Sequence, residues 1–269
     1  MVKIPKEPIA RPNGERLVTA NWLKTKRERV AELRQARAES PLADTSLIIP
    51  AAQHPLVDGR KPNPEFEARL VVALEEYLKK IILGGNAEFF LTGNRHHDKE
   101  SGKTDDVALY DASGLWLMER GVPAEALHGK DWLDQYGEKQ YNGAAEIKVA
   151  AEGFMGNPRF SDVTYVSSPG QEKRAAMYGL AYEIPLDVVV PPDLSGDQQE
   201  LFHSQGALGV ALNGFTRVLD PYGTSRLLTK LTIDRIPADG NVGTIPELLS
   251  DYAALPWYAN PQPDSTGRV

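Results

Sequence analysis

Residues 45–53 read TSLIIPAAQ. Leu47, Ile48 and Ile49 follow one another with no polar residue between them. Side chains alternate across a strand, so a strand through this run is apolar on both faces. A half-solvated antiparallel strand alternates apolar with polar instead. The run therefore predicts the central strand of a parallel sheet, covered on both sides. Pro50 closes it and places a loop, 50–54, at its carboxyl end.

Working outward, the chain keeps alternating strand with helix. Phe66, Leu70, Leu74, Tyr77, Leu78 and Ile81 recur at helical spacing, and Gly84-Gly85 stop that helix. AEFFLT, 87–92, is a second strand ending in Gly93-Asn94-Arg95. A helix is expected over about 107–120, halted by Gly121-Val122-Pro123, then a polar stretch over 128–138 and a helix over about 142–154. SDVTYVSS, 161–168, is a third strand, 171–181 a helix and LDVVVPP, 186–192, a fourth strand. On the amino side, 17–38 lacks Gly and Pro and is dense in Arg, Lys, Glu and Ala, which favours helix. This order predicts an α/β fold, a three-layer Rossmann-like open parallel sheet with helical N- and C-terminal additions. The divisions fall at 1–43 (a loose arm and a basic helix), 44–192 (the sheet domain) and 193–269 (a helical appendage and polar tail). Thr244 with Glu247 supplies a capping-box pattern in that appendage.

Composition excludes several classes of function. The 269 residues carry a formal charge of −7, against the basic face of a general nucleic-acid binder. There is no cysteine, which removes disulfides, thiolate metal sites and thiol nucleophiles, and which fits a reducing compartment. No apolar run approaches the roughly 18 residues that span a bilayer, and the first residues lack the apolar core of a signal peptide. A cytoplasmic protein with no membrane segment is expected. Walker A, Gly-x-Gly-x-x-Gly and Gly-x-Ser-x-Gly sequences are all missing. His96-His97-Asp98 lack the helical spacing of a metal pair, so no metal ligand is assigned.

In open α/β sheets ligands bind where loops leave the carboxyl ends of the strands. Those loops are 50–54, 92–106 and 167–171. VSSPGQEKRA, 166–175, is the most informative. Ser167 ends a strand, Pro169 and Gly170 turn the chain, and a helix begins near Gln171. Free N–H groups at a helix start favour an anion, Ser168 can cap the helix or donate its hydroxyl, and Arg174 lies one turn beyond Gln171. TGNR, 92–95, offers a second turn whose glycine and asparagine tolerate positive φ.

The order of these motifs resembles the YdcF-like bacterial family, of unknown activity, whose members include the envelope-associated ElyC and SanA proteins. The family's strand ending in Ser/Thr-Gly-Gly corresponds to Leu91-Thr92-Gly93-Asn94. Its Gly-Val-Pro is intact at Gly121-Val122-Pro123, behind the helix that carries Asp111 and Ala112. Its Glu-Asn motif survives as Tyr141-Asn142. Its final Val-Thr-Ser-x-x-His-x-x-Arg-Ala becomes VSSPGQEKRA, with Gln171 in place of the histidine and Arg174-Ala175 kept. The resemblance covers roughly 44–192. It implies a Rossmann-like domain with a ligand-facing corner at 167–174, and the loss of proton transfer at position 171.

These readings lead to one expected function and two alternatives. The expected function is binding of an anionic small molecule, nucleotide-like or a sugar phosphate, at the carboxyl edge of the sheet. Ser167, Ser168 and Arg174 hold the anion, Thr92, Gly93, Asn94 and Arg95 line the opposite wall, and Gln171 and Asn142 orient the ligand. The first alternative is a metal-assisted phosphoryl- or glycosyl-group transferase or hydrolase acting on a cell-envelope precursor, with Asp105, Asp106 or Asp111 as base or Mg2+ ligand. The second is a non-catalytic interaction module whose partner surface is the basic helix and the C-terminal appendage. No cofactor is specified by the sequence.

Overall fold

The computed structural model describes residues 18, 20–53, 56–93, 95, 103–129 and 143–192. The arm, the C-terminal appendage, His54, His96, His97, Asn94 and Asn142 lie outside the described residues. The first strand, β1 (Thr45–Pro50), is buried along its whole length. Leu47 and Ile49 enter one apolar core and Ile48 the other, as a central strand requires.

Helix α2 (Pro64–Ile82) follows α1 (Ala20–Ala38) and β1 in the chain. Its start is specified locally. The side chain of Asn63 accepts from the Phe66 N–H at 2.8 Å, Pro64 occupies the first turn, and Glu65 and Glu67 face the positive end of the helix. Lys79 and Lys80 sit at the other end. Next come β2 (Asn86–Phe90), α3 (Leu109–Met118), β3 (Leu127–His128), α4 (Gly143–Gly156), β4 (Phe160–Val166), α5 (Glu172–Ala181) and β5 (Leu186–Val189). All the strands pair in parallel, in the order β3-β2-β1-β4-β5.

The two cores lie on opposite faces of the sheet. Phe66, Leu70 and Tyr77 of α2 and Leu109 and Trp116 of α3 cover one face. Ile147 and Phe154 of α4 and Ala175 and Tyr178 of α5 cover the other, with Leu33 of α1 packed against them. This is the three-layer α/β arrangement, and no described helix is long and apolar enough to cross a membrane. The strand β3 went unnoticed in the sequence because two residues, Leu127 and His128, carry no apolar run. It exists by pairing with Phe89 and Phe90.

Helix α1 is docked on this unit. Lys26 and Arg29 meet Glu183 at 2.5 and 2.7 Å, and Arg34 meets Asp187 at 2.7 Å. Arg37 donates to the carbonyls of Phe154 and Asn157 at the carboxyl end of α4, where the helix dipole favours a cation. Much of the positive charge that made this helix a candidate partner surface is thus engaged within the chain.

Candidate functional site at the carboxyl edge

From β1 the chain passes to β2 on one side, and it later returns to β4 on the other. The carboxyl ends of β1 and β4 therefore flank the topological switch point, where loops diverge and leave a crevice. Three layers of polar groups fill this region.

The deepest is built around Arg69 of α2, which is 2% exposed. Its Nε donates to Ser168 Oγ at 2.8 Å, and its Nη1 to the carbonyls of Ala51 and Ala52 at 2.9 and 3.1 Å. Nη2 reaches Glu65 Oε1 at 2.5 Å, Gln53 Oε1 at 3.2 Å and Ser168 Oγ. Ser168 in turn donates to Glu65 Oε1 at 2.5 Å. Carbonyls past the end of β1 have no neighbouring strand to pair with, and the guanidinium satisfies them. One residue thus ties α2 to the ends of both β1 and β4.

Above it lies Glu146, in the first turn of α4. Its Oε2 accepts from the Tyr165 hydroxyl at 2.8 Å and its Oε1 from the Ala52 N–H at 3.4 Å. The Thr92 hydroxyl lies beside the carboxyl and is fully buried, yet makes no hydrogen bond of normal geometry. Burial raises the Glu146 pKa above its ordinary 4.5, against the opposing pull of Tyr165, Thr92, Arg69 and the Ala52 N–H. Burial, then the Glu146 charge, push the Tyr165 hydroxyl well above its usual range. A raised carboxyl pKa means that the folded state binds this proton more tightly than the unfolded chain. Its stabilising effect is complete below pH 4.5 and is lost as pH rises through the folded value. Wild type should therefore lose stability relative to Glu146→Gln over that window, by at most about 1.4 kcal/mol per pH unit. Urea titrations at a series of pH values measure this, and parallel stability curves would show that Glu146 ionises as freely in the fold as out of it.

The third layer is the crevice itself, narrow and lined by Gly143, Tyr165, Ser167, Gln171, Arg174 and Tyr178. Arg174 Nη2 donates to Gln171 Oε1 at 3.2 Å and has no carboxylate partner among the described residues. The turn that leads into it has the pattern of a type II turn. Pro169 takes the second position, Gly170 has φ 83°, and the Gln171 N–H returns to the Ser168 carbonyl at 3.1 Å.

The sequence-predicted residues divide accordingly. Ser167, Gln171 and Arg174 meet in the crevice. Ser168 neither caps the helix nor reaches the crevice. The type II turn delays α5 to Glu172, leaving Gln171 at the cap with no side-chain cap bond, and the Ser168 hydroxyl is held between Arg69 and Glu65. Thr92 lies against Glu146, Gly93 packs on Ala52 and Leu109, and Arg95 is exposed. Asp105 is buried, Asp106 is exposed and pairs with Arg60 at 2.6 Å, and Asp111 is exposed on α3. None of these three aspartates lines the crevice. Nor does Asp105 or Asp106 cap α3, whose cap position is Ala108. No group of three potential metal ligands occurs among the described residues.

Sequence reasoning missed Glu65, Arg69, Glu146 and Tyr165. A signal was present for the first pair. Glu65 and Arg69 are four residues apart, each directly beside a core position, Phe66 or Leu70, so they share the edge of the buried face. Glu146 stands next to Ile147 in a helix otherwise made largely of small and apolar residues. The chain matches no family model, no curated protein and no solved structure.

Proposed function

We propose that the chain binds a small anionic molecule, nucleotide-like or a sugar phosphate, in the crevice at the carboxyl edge of the sheet. Arg174 carries this reading. Its guanidinium lines the crevice between the start of α4, the end of β4 and α5, with the neutral Gln171 side chain as its hydrogen-bond partner and without a carboxylate among the described residues. A cation so placed can offer paired N–H donors to a phosphate or carboxylate. Ser167 and Gln171 would add neutral contacts. Ser168 would act from beneath, by holding Arg69 and the strand ends in place. The YdcF-like resemblance belongs to the same proposal and suggests the same corner.

The test is a thermal-shift series with inorganic phosphate, nucleotides and sugar phosphates on wild type and Arg174→Ala. A ligand at a hundred times its dissociation constant stabilises by about 2.7 kcal/mol, several degrees for a chain of this size. The expected result is a shift in wild type that disappears in the variant while the unliganded midpoint hardly moves. A shift of equal size in Arg174→Ala would place the anion elsewhere and end this reading.

A further inference from the structure

Helix α2 carries two apolar stripes, and the sheet uses only one of them. Phe66, Leu70, Ala73 and Tyr77 are buried against the strands. A surface helix normally turns polar residues away from such a stripe. Here Val71, Leu78 and Ile82 are exposed together with Glu75, and positions 71, 75, 78 and 82 fall along one side of a helix. Ile82 is 80% exposed, and Leu83, at the C-cap, 83%. Exposed apolar residues scattered singly need no explanation, but a row of them along one side does. Helix α3 extends the surface by exposing Leu115 and Met118. It lies beside the first half of α2, where Trp116 Nε1 donates to Glu67 Oε1 at 3.0 Å and Arg120 Nη2 stands 3.7 Å from the same oxygen.

We propose that this face is the contact between two copies of the chain, paired about a twofold axis with their α2 helices antiparallel. Two properties of the stripe point to a second copy as its occupant. Its spacing reads the same in both directions, so an antiparallel copy sets Ile82 against Val71 and Leu78 against Glu75, each of them twice. Its charges are self-complementary as well. The carboxylates Glu65, Glu67, Glu75 and Glu76 precede Lys79 and Lys80 along the helix. Lys79 is exposed and close to Glu75 and Glu76 of its own helix. In the antiparallel pair Glu75 enters the contact beside Lys79 of the other copy, and so keeps a counter-charge as it loses water. A parallel pair would set Glu75 against Glu75. A stable dimer buries roughly 800 Å² on each copy, more than one helix face offers. The twofold axis supplies the remainder, because it carries Ile82 and Leu83 of one copy to the end of α2 that lies beside α3 of the other.

This contact is independent of the anion site, and sedimentation of the full chain tests it. Wild type should be a dimer at micromolar concentration. Ile82→Lys and Leu78→Lys should each raise the dissociation constant by about tenfold or more, since each places a charge among apolar side chains twice per dimer. Glu75→Lys and Lys79→Glu set like charges together twice and should weaken the dimer as much. Mixed in equal amounts, these last two variants should pair with one another, because lysine then meets glutamate in both halves of the contact. That recovery also shows that each variant is folded. A wild-type monomer at every concentration would leave the face to another protein or to another part of this chain, and would overturn the proposal. A dimer indifferent to Ile82→Lys would place the contact elsewhere and overturn it too. So would charge variants that fail to pair when mixed.

Discussion

Arg69→Ala is expected to destabilise the protein by about 3–5 kcal/mol, the range seen when one partner of a buried ion pair is removed. The substitution would leave the Glu65 carboxylate, 6% exposed, without its counter-charge. It would also strip the donors from the carbonyls of Ala51 and Ala52 and from Ser168 Oγ. Each buried acceptor left unsatisfied adds about 1–3 kcal/mol of desolvation, although neighbours do not add independently. Replacing both charges, as Glu65→Leu with Arg69→Met, should recover part of the loss, because the uncompensated carboxylate is gone and apolar volume is kept. Recovery stays incomplete because the two carbonyls remain. Urea unfolding of wild type, Arg69→Ala and the double variant measures these differences. A loss below about 1 kcal/mol in Arg69→Ala would mean that the guanidinium does not hold the strand ends together.

Gly93→Ala is expected to destabilise by about 2–6 kcal/mol, from two sources. Gly93 has φ 92°, where an L-residue is strained by about 1–3 kcal/mol. A new Cβ would also lie 2.7 Å from both Ala52 Cβ and Leu109 Cδ1. Overpacking of that kind typically adds about 1–3 kcal/mol. The tight contact has a structural purpose. It lets β2 turn away directly over the loop that follows β1, and the Gly93 carbonyl then accepts from the Tyr110 N–H at 3.1 Å at the start of α3. Thermal unfolding without ligand reads the effect. An unchanged midpoint would show that the turn re-forms around the methyl group.

Both positions lie at the carboxyl edge, but they differ in how plainly the sequence displayed them. Gly93 stands immediately after an apolar run, where a turn is expected, and its need for positive φ follows from local chemistry. Arg69 is a long charged residue in a helix, which by itself reads as a solvated face. Its burial depends on which way α2 lies on the sheet, and on how far the two strands flanking the switch point extend.

The same division runs through the whole protein. The sequence by itself determined the layers, because strand and helix periods are local. Leu47, Ile48 and Ile49 are enough to demand a strand covered on both sides, and Phe66, Leu70 and Tyr77 are enough to orient the helix that covers one of them. It also placed Ser167, Gln171 and Arg174 near one another, since they share a single strand-to-helix connection. Only the tertiary structure decided that Ser168 faces inward to Arg69 and Glu65, that Glu146 meets Tyr165, and that Leu127 and His128 form a strand. Each of these pairs residues from elements distant in the chain. Their contacts depend on strand order and register, and neither is encoded in the spacing of residues within one element.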